Sequence, residues 1–154
     1  MRLLLDINIL LDVVFQRPGE PASSQIITRC GHEHEAWLAW HSLATLAYLI
    51  ERQQSAASAR EFVRSLLGWA EVAATQHADA LQALEWPMPD FEDALQAAAA
   101  VACGADVILT RNGRDFKGSP VPAMTPEAFI KLHMPAAASR APSTRVRRRK
   151  APRT

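Results

Sequence analysis

Short apolar segments alternate with segments of helical periodicity along residues 1–133, and this alternation limits the possible folds more than any other sequence feature. Apolar runs predict strands at residues 2–6, 36–40, 71–74 and 107–110, with helices between them. Strands that are separated by helices pair in parallel. Because 154 residues are too few for two ordinary domains, we predict a single α/β domain with a mainly parallel sheet.

The ends of the helices are predicted from capping residues and from breaks in the apolar pattern. An Arg-Pro-Gly triplet ends the first helix, Ser42 is expected to cap the third, and Gly104 to end a long alanine-rich helix. We expect Leu81 and Leu84 to face the core from the fifth helix. The predicted helices cover residues 9–14, 21–30, 43–53, 55–68, 76–85, 90–104 and 125–132.

The net charge of +1 conceals two oppositely charged parts of the chain. Residues 134–154 contain seven basic side chains and no acidic one, whereas residues 1–133 contain ten basic and sixteen acidic side chains. This tail has one β-branched aliphatic residue and no aromatic one, so we expect it to be disordered outside a domain at residues 1–133.

The charge of the tail has two interpretations that the sequence leaves open. It indicates a nucleic-acid contact, and the alternative is a solubilising terminus, part of it a remnant of cloning. The basic residues expected to contact nucleic acid are Arg145, Arg147, Arg148, Arg149 and Lys150.

Several classes of protein are excluded by the sequence. No apolar run reaches the roughly 20 residues needed to cross a bilayer, and no export signal follows Met1. Cys30 and Cys103 lack a CxxC spacing, which favours two buried free thiols in a reducing compartment. We therefore expect a soluble, cytoplasmic protein without a membrane partner.

Carboxylate and carboxamide side chains follow the predicted strands. Asp6 and Asn8 follow the first strand, Asn112 and Asp115 follow the last, and the acidic segment at residues 90–93 opens the long helix. Ligands of open α/β sheets bind at the carboxyl ends of the strands. Because acids placed together resist ionisation unless a cation is present, and because oxygen ligands favour Mg²⁺ or Mn²⁺, we predict a divalent-metal site.

Each group of acids also has a purely structural interpretation. Asp90 can cap the long helix, and Glu92 and Asp93 gain about 0.3–1 kcal/mol each from the helix dipole in its first turn. Asn112 suits a turn before the following glycine. Asp6 is harder to explain in this way, because it ends a strand of leucines and would be costly to bury without a partner.

Three ordered motifs resemble the PIN-domain family of metal-dependent ribonucleases, many of which are bacterial toxins of the VapC type. The motifs are LLLDINILLD at residues 3–12, PDFEDALQAAAA at residues 89–100 and ILTRNGRDFKGSPVPAMTPEAF at residues 108–129. The similarity runs from about residue 2 to residue 132 and leaves out the tail. It implies a three-layer α/β/α fold whose acids converge on one or two Mg²⁺ or Mn²⁺ ions.

The resemblance also implies roles for individual residues. Asp6 matches the first metal-binding aspartate of the family and Asn8 the polar residue two positions later. Asp93 matches the aspartate at the start of the long helix, and Asp115 precedes the phenylalanine of a D-F pair. Asn112 stands where many members have an aspartate, and its carboxamide would bind metal more weakly. Supporting roles fall to Thr110 at the strand end, to Asp90 and to Glu92.

One acid of the family pattern has no match in this chain. A glutamate usually lies early in the helix after the second strand, and that position falls on Thr45 or Tyr48 here, depending on the register. Glu51 does not replace it, because it lies about 9 Å further along the helix than Thr45 and on another face. His41 and Tyr48 could approach the site from the second strand and its helix, but we expect them to pack in the core.

The resemblance implies a Mg²⁺- or Mn²⁺-dependent endoribonuclease with Asp6, Asp93 and Asp115 as metal ligands and Asn112 assisting. It further implies a homodimer and the toxin of a type II toxin–antitoxin pair, with RNA as substrate and an antitoxin protein as partner. Two other interpretations stay open. The chain could be a weakened PIN-like module that binds RNA or protein, or the acids could serve only as a helix cap and a turn.

Overall fold

The computed structural model describes residues 1–134, which form a five-stranded parallel sheet covered by helices on both faces. The strand order is β3-β2-β1-β4-β5, and every neighbouring pair is parallel. The strands are β1 (Arg2–Leu5), β2 (Glu35–Leu38), β3 (Ala70–Val72), β4 (Val107–Leu109) and β5 (Ala123–Met124).

The helices alternate with these strands. They are α1 (Ile7–Val14), α2 (Glu20–Ile27), α3 (Trp40–Gln53), α4 (Ala56–Leu66), α5 (His77–Glu85), α6 (Phe91–Ala102) and α7 (Pro126–His133). The predicted three-layer α/β/α fold is thereby confirmed.

Strand β1 occupies the centre of the sheet because its leucines can be buried on both faces. Leu3 and Leu5 pack in one apolar cluster and Leu4 packs in another, as the alternation of side chains along a strand requires. Alanines of α6, among them Ala97 and Ala100, pack in the second cluster. The small side chains of α6 bring this helix close to the sheet and so position its first turn.

Three of the predicted helix starts are confirmed by hydrogen bonds. Ser55, Asp90 and Thr125 cap α4, α6 and α7, and each accepts a hydrogen bond from a backbone N–H of the first turn. Gly104 follows α6 with a φ of +64°, a left-handed conformation that favours glycine.

Two local predictions are wrong at the start of α3. The second strand ends at Leu38, and Trp40, which was assigned to that strand, begins the helix. Ser42 lies buried inside α3. The cap residue is Ala39, whose methyl side chain cannot accept a hydrogen bond. A short apolar run does not distinguish a buried strand from the start of a helix, so the boundary was placed too late.

The predicted inward direction of Leu81 and Leu84 is also wrong. They are 51% and 62% exposed, and α5 instead buries Ala83 against Ala94 and Ala98 of α6. Alanine faces allow the two helices to approach closely, and the leucines are left outside this contact.

Strand β5 was not predicted, because two residues after a proline carry no periodic pattern. It is formed by pairing with β4. The backbone N–H of Thr110 donates to the carbonyl of Met124 at 3.0 Å, a distance typical of a sheet.

No helix of residues 1–134 is both long and apolar enough to span a bilayer. Cys30 and Cys103 are buried and unpaired, as predicted.

Candidate metal centre

Asp6 lies buried at the carboxyl end of β1, where it also caps α1. Its carboxylate accepts hydrogen bonds from the Thr110 hydroxyl at 2.8 Å, the Asn8 backbone N–H at 3.3 Å and the Asn8 side-chain amide at 3.4 Å. Burial raises the pKa of Asp6, and the charge of Glu92 adds to the increase, while the bonds from Thr110 and Asn8 oppose it. The carboxylate is therefore oriented by neutral donors beside another acid.

The loop after β4 connects Asp6 to Asp115 through hydrogen bonds. Thr110 Oγ1 donates to Asp6 and accepts from the backbone N–H of Asn112 at 3.1 Å. The Asn112 side-chain amide in turn donates to the Asp115 carboxylate. This relay sets the position of the loop acid relative to the strand acid.

Three further acids lie at the start of α6. One oxygen of Asp90 accepts from the backbone N–H of Glu92 at 2.8 Å and of Asp93 at 3.2 Å, so the cap interpretation of Asp90 is correct. Ligand atoms of Asp90, Glu92 and Asp93 nevertheless lie within 4.8 Å of one another. The cap therefore also gathers three carboxylates at one point.

Asp93 lies within the electrostatic influence of all the other acids. Burial raises its pKa to about 7, and the negative charges of Asp90, Glu92, Asp6 and Asp115 contribute in that order. Acids from the end of β1, the start of α6 and the loop after β4 thus act on the same carboxyl group. Asp6 and Asp115 reach Asp93 by their charge, whereas Asp90 and Glu92 also lie within ligand distance of it.

The chemistry of the donor set fits a hard divalent cation. All candidate ligand atoms are oxygens, and most belong to carboxylates whose mutual repulsion a cation would relieve. Asn112 adds a carboxamide that is already paired with Asp115.

Helix α3 brings no acid to this site. His41, in its first turn, places Nε2 3.4 Å from Glu92 Oε1, and Thr45 lies one turn later and is exposed. The prediction that Tyr48 packs in the core is wrong, because Tyr48 is 57% exposed and its hydroxyl accepts from Arg52.

The expectation that His41 packs in the core is wrong, because its side chain is partly exposed and lies beside Glu92. Two other residues at the site were not singled out from the sequence. These are Gln96, whose amide donates to Glu92 Oε1 at 3.1 Å, and Arg17, whose guanidinium donates to Asn8 Oδ1 at 3.4 Å. Only the four-residue spacing of Glu92 and Gln96 on one helix was a usable signal. The predicted nucleic-acid contacts Arg145, Arg147, Arg148, Arg149 and Lys150 lie outside the described residues.

Comparison with known proteins places this geometry in a family. A sequence model described as a PIN domain matches residues 2–114. No curated protein matches the sequence.

Several solved structures share the fold. The structure of VapBC2 from Rickettsia felis bound to a DNA fragment from its promoter has a TM-score of 0.66 at 17% identity. The match covers 81% of this chain and 98% of the Rickettsia felis chain. VapBC-1 from nontypeable Haemophilus influenzae has a TM-score of 0.65 at 17% identity, with 82% and 99% covered. A toxin–antitoxin complex from Klebsiella pneumoniae has a TM-score of 0.58 at 21% identity, with 80% and 96% covered.

Proposed function

The chain belongs to the PIN-domain family, and from this premise we propose that it is a divalent-metal-dependent endoribonuclease that hydrolyses RNA in the cytoplasm. The observation that carries the proposal is the carboxylate cluster at the start of α6, where ligand atoms of Asp90, Glu92 and Asp93 lie within 4.8 Å of one another and where burial and the neighbouring acids raise the pKa of Asp93 to about 7. A divalent cation would relieve the repulsion in this cluster, and hydrolysis of a phosphodiester is a reaction that such a cation can assist.

Asp6, Asp93 and Asp115 would hold Mg²⁺ or Mn²⁺, with Asn112 assisting. When bound, the metal supplies charge neutralisation at the phosphate and leaving oxygen and acidifies a water molecule. The chain needs no nucleophilic side chain for this chemistry.

The protein's own residues orient the site before the substrate arrives. Thr110 and Asn8 hold the Asp6 carboxylate, and Asn112 holds that of Asp115, so the ligands are positioned by hydrogen bonds. Arg17, held beside Asn8, offers a guanidinium at the edge of the acidic cluster where a substrate phosphate would pair with it.

We further propose that this ribonuclease is the toxin of a type II pair, acting as a homodimer that an antitoxin protein inhibits. Support comes from the fold shared with VapBC proteins and with the toxin–antitoxin complex from Klebsiella pneumoniae. A short reading frame beside the gene is the expected genetic sign, and its product should bind this chain and suppress RNA cleavage.

A second candidate function is a PIN-fold module that binds RNA or protein without cleaving it. Two features favour it: the acid position of the family pattern on α3 falls on Thr45 or Tyr48, neither of which is an acid, and Asn112 stands where many members have an aspartate.

Cleavage of a single-stranded RNA in the presence of Mn²⁺ separates the two candidates. We expect the wild type to cleave, and Asp93→Asn to lose about 100-fold or more of that activity because a metal ligand is removed. Glu61→Gln, an exposed change on α4, is the matched control and should cleave like the wild type. Equal cleavage by Asp93→Asn would contradict the proposed metal centre, and RNA binding without cleavage by the wild type would favour the binding module.

A further inference from the structure

We propose that Glu92 supplies the carboxylate that α3 lacks, and that Gln96 holds Glu92 in position as a metal ligand. This inference rests on the proposed function, because it adds a ligand to the same metal centre.

The carboxylate of Glu92 lies between α6 and the first turn of α3. Its Oε1 is 3.4 Å from His41 Nε2 on α3, and its ligand atom lies within 4.8 Å of those of Asp90 and Asp93. Thr45 follows His41 by one turn on the same helix. Glu92 therefore brings a negative charge from α6 to the first turn of α3, the helix that lacks an acid of its own at this site.

Gln96 is a second, independent sign of a ligand at this position. Its side chain is 1% exposed, and its amide nitrogen donates to Glu92 Oε1 at 3.1 Å. Within residues 1–134, no donor reaches Gln96 Oε1. A buried amide oxygen without a partner is costly, so the hydrogen bond to Glu92 holds Gln96 in a position that packing alone does not favour.

A role for Glu92 in the helix dipole alone does not explain these contacts. A favourable interaction with the dipole requires only a negative charge in the first turn, which Asp93 already provides. It does not require a buried glutamine that donates to Glu92 from one turn later, nor an imidazole nitrogen of another helix 3.4 Å from the same oxygen.

Isothermal titration of Mn²⁺ into the metal-stripped full chain tests the proposal. We expect Glu92→Gln to weaken Mn²⁺ binding about 10-fold or more, and Gln96→Met about 3- to 10-fold, because the first removes a ligand and the second only its hydrogen bond. Glu61→Gln should bind like the wild type. Circular dichroism establishes that each variant is folded, and Glu92 is exposed enough for its conservative replacement to leave the fold intact.

A double variant tests whether Glu92 stands in for the acid of α3. Thr45→Glu added to Glu92→Gln should recover most of the lost Mn²⁺ affinity. A double variant as weak as Glu92→Gln alone would overturn the equivalence of the two positions.

The remaining outcomes separate this inference from the proposed function. Wild-type affinity in Glu92→Gln, together with RNA cleavage by the wild type, would overturn the inference and leave the function standing. Glu92-dependent Mn²⁺ binding without RNA cleavage would support the inference and overturn the function. Absence of Mn²⁺ binding by the wild type would overturn both.

Discussion

Asp93 is the residue at which the acidic cluster has its clearest consequence for stability. Its pKa rises from 3.8 to about 7 through burial first and then through the neighbouring acids. The folded protein thus binds this proton more tightly than the unfolded chain does. The resulting stabilisation is complete below the unfolded pKa and is lost as the pH rises through the folded pKa.

We predict that the metal-free protein loses stability relative to Asp93→Asn as the pH rises from about 4 to about 8. Urea unfolding of both proteins in the presence of a chelator measures the difference. Excess Mn²⁺ at the upper end of this pH range should restore the lost stability, because metal binding favours the ionised cluster. If the unfolding free energies of the two proteins changed in parallel with pH, the pKa of Asp93 would not be raised in the folded state.

Asn112 offers a second test with two opposing effects. Replacing it by aspartate removes the amide that donates to Asp115 and places two carboxylates together. We expect Asn112→Asp to destabilise the metal-free protein by about 1 kcal/mol and to bind Mn²⁺ more tightly than the wild type. Thermal unfolding with and without Mn²⁺ measures both effects, and an equal shift in the two conditions would contradict a ligand role for position 112.

The acids themselves could be identified from the sequence because they follow apolar strands or open a helix. The contacts of Glu92 with other helical residues could not be identified in this way. His41 and Glu92 are 51 residues apart in sequence, and their contact depends on how α3 and α6 pack beside the sheet. Gln96 has no chemical signature of its own, and its burial is a property of the packed helix.

At the level of elements, a polar junction with a buried centre at Asp12 and Ser23 and exposed ends at Arg111 and Glu127 orients the loop after β4. Arg111, which lies between Thr110 and Asn112, donates to Glu127 of α7 at 2.7 Å and places Nε 3.6 Å from Asp12 of α1. Ser23 of α2 donates to the same oxygen of Asp12 at 2.9 Å. Residues of α1, α2 and α7 thereby hold the backbone segment that carries the loop ligands.

Gly19 makes this junction possible because a side chain there would collide with it. A Cβ at position 19 would clash with the Asp12 carboxylate and lie 2.7 Å from Cζ of Arg111. We expect Gly19→Ala to destabilise the protein by about 1–3 kcal/mol and to lower Mn²⁺ affinity by shifting the loop. Chemical denaturation measures the first effect and calorimetric titration the second.

Gly113→Ala is the control for that change, because its Cβ would meet the Ala123 carbonyl at 3.9 Å, an ordinary contact. It should change stability by no more than about 0.5 kcal/mol. Equal stability of the two glycine variants would show that the junction tolerates displacement of Asp12 and Arg111.

The elements that were predicted well from the sequence are those that begin at a helix-capping residue. Asp90 and Thr125 are cap residues, and their hydrogen bonds are local, so the starts of α6 and α7 were correct. The direction of Leu81 depended on whether α5 packs through leucines or alanines, which is decided by the partner helix. Strand β5 exists only through its pairing with β4.

For the whole molecule, the distribution of charge would govern the proposed binding of RNA. Residues 1–133 have six more acidic than basic side chains, whereas residues 134–154 carry seven basic ones. An acidic body repels a polyanion, and a basic terminus would offset that repulsion.

We predict that removing residues 135–154 weakens RNA binding and flattens its dependence on salt. Each phosphate contact with single-stranded RNA contributes about 0.7 to the logarithmic salt slope, so loss of all seven contacts would reduce it by about 5. Fluorescence anisotropy at several salt concentrations measures both quantities, with unfolding of the truncated chain as the control for stability. An unchanged affinity would assign the tail to solubility alone.

The most direct test of the metal centre is anomalous diffraction from crystals of the full chain soaked in Mn²⁺. We predict an anomalous peak among Asp6, Asp93 and Asp115, with the Glu92 carboxylate beside it. An ordered Mn²⁺ ion found only at other residues, or no peak at these carboxylates in soaked crystals, would contradict the site from which the ribonuclease function is inferred.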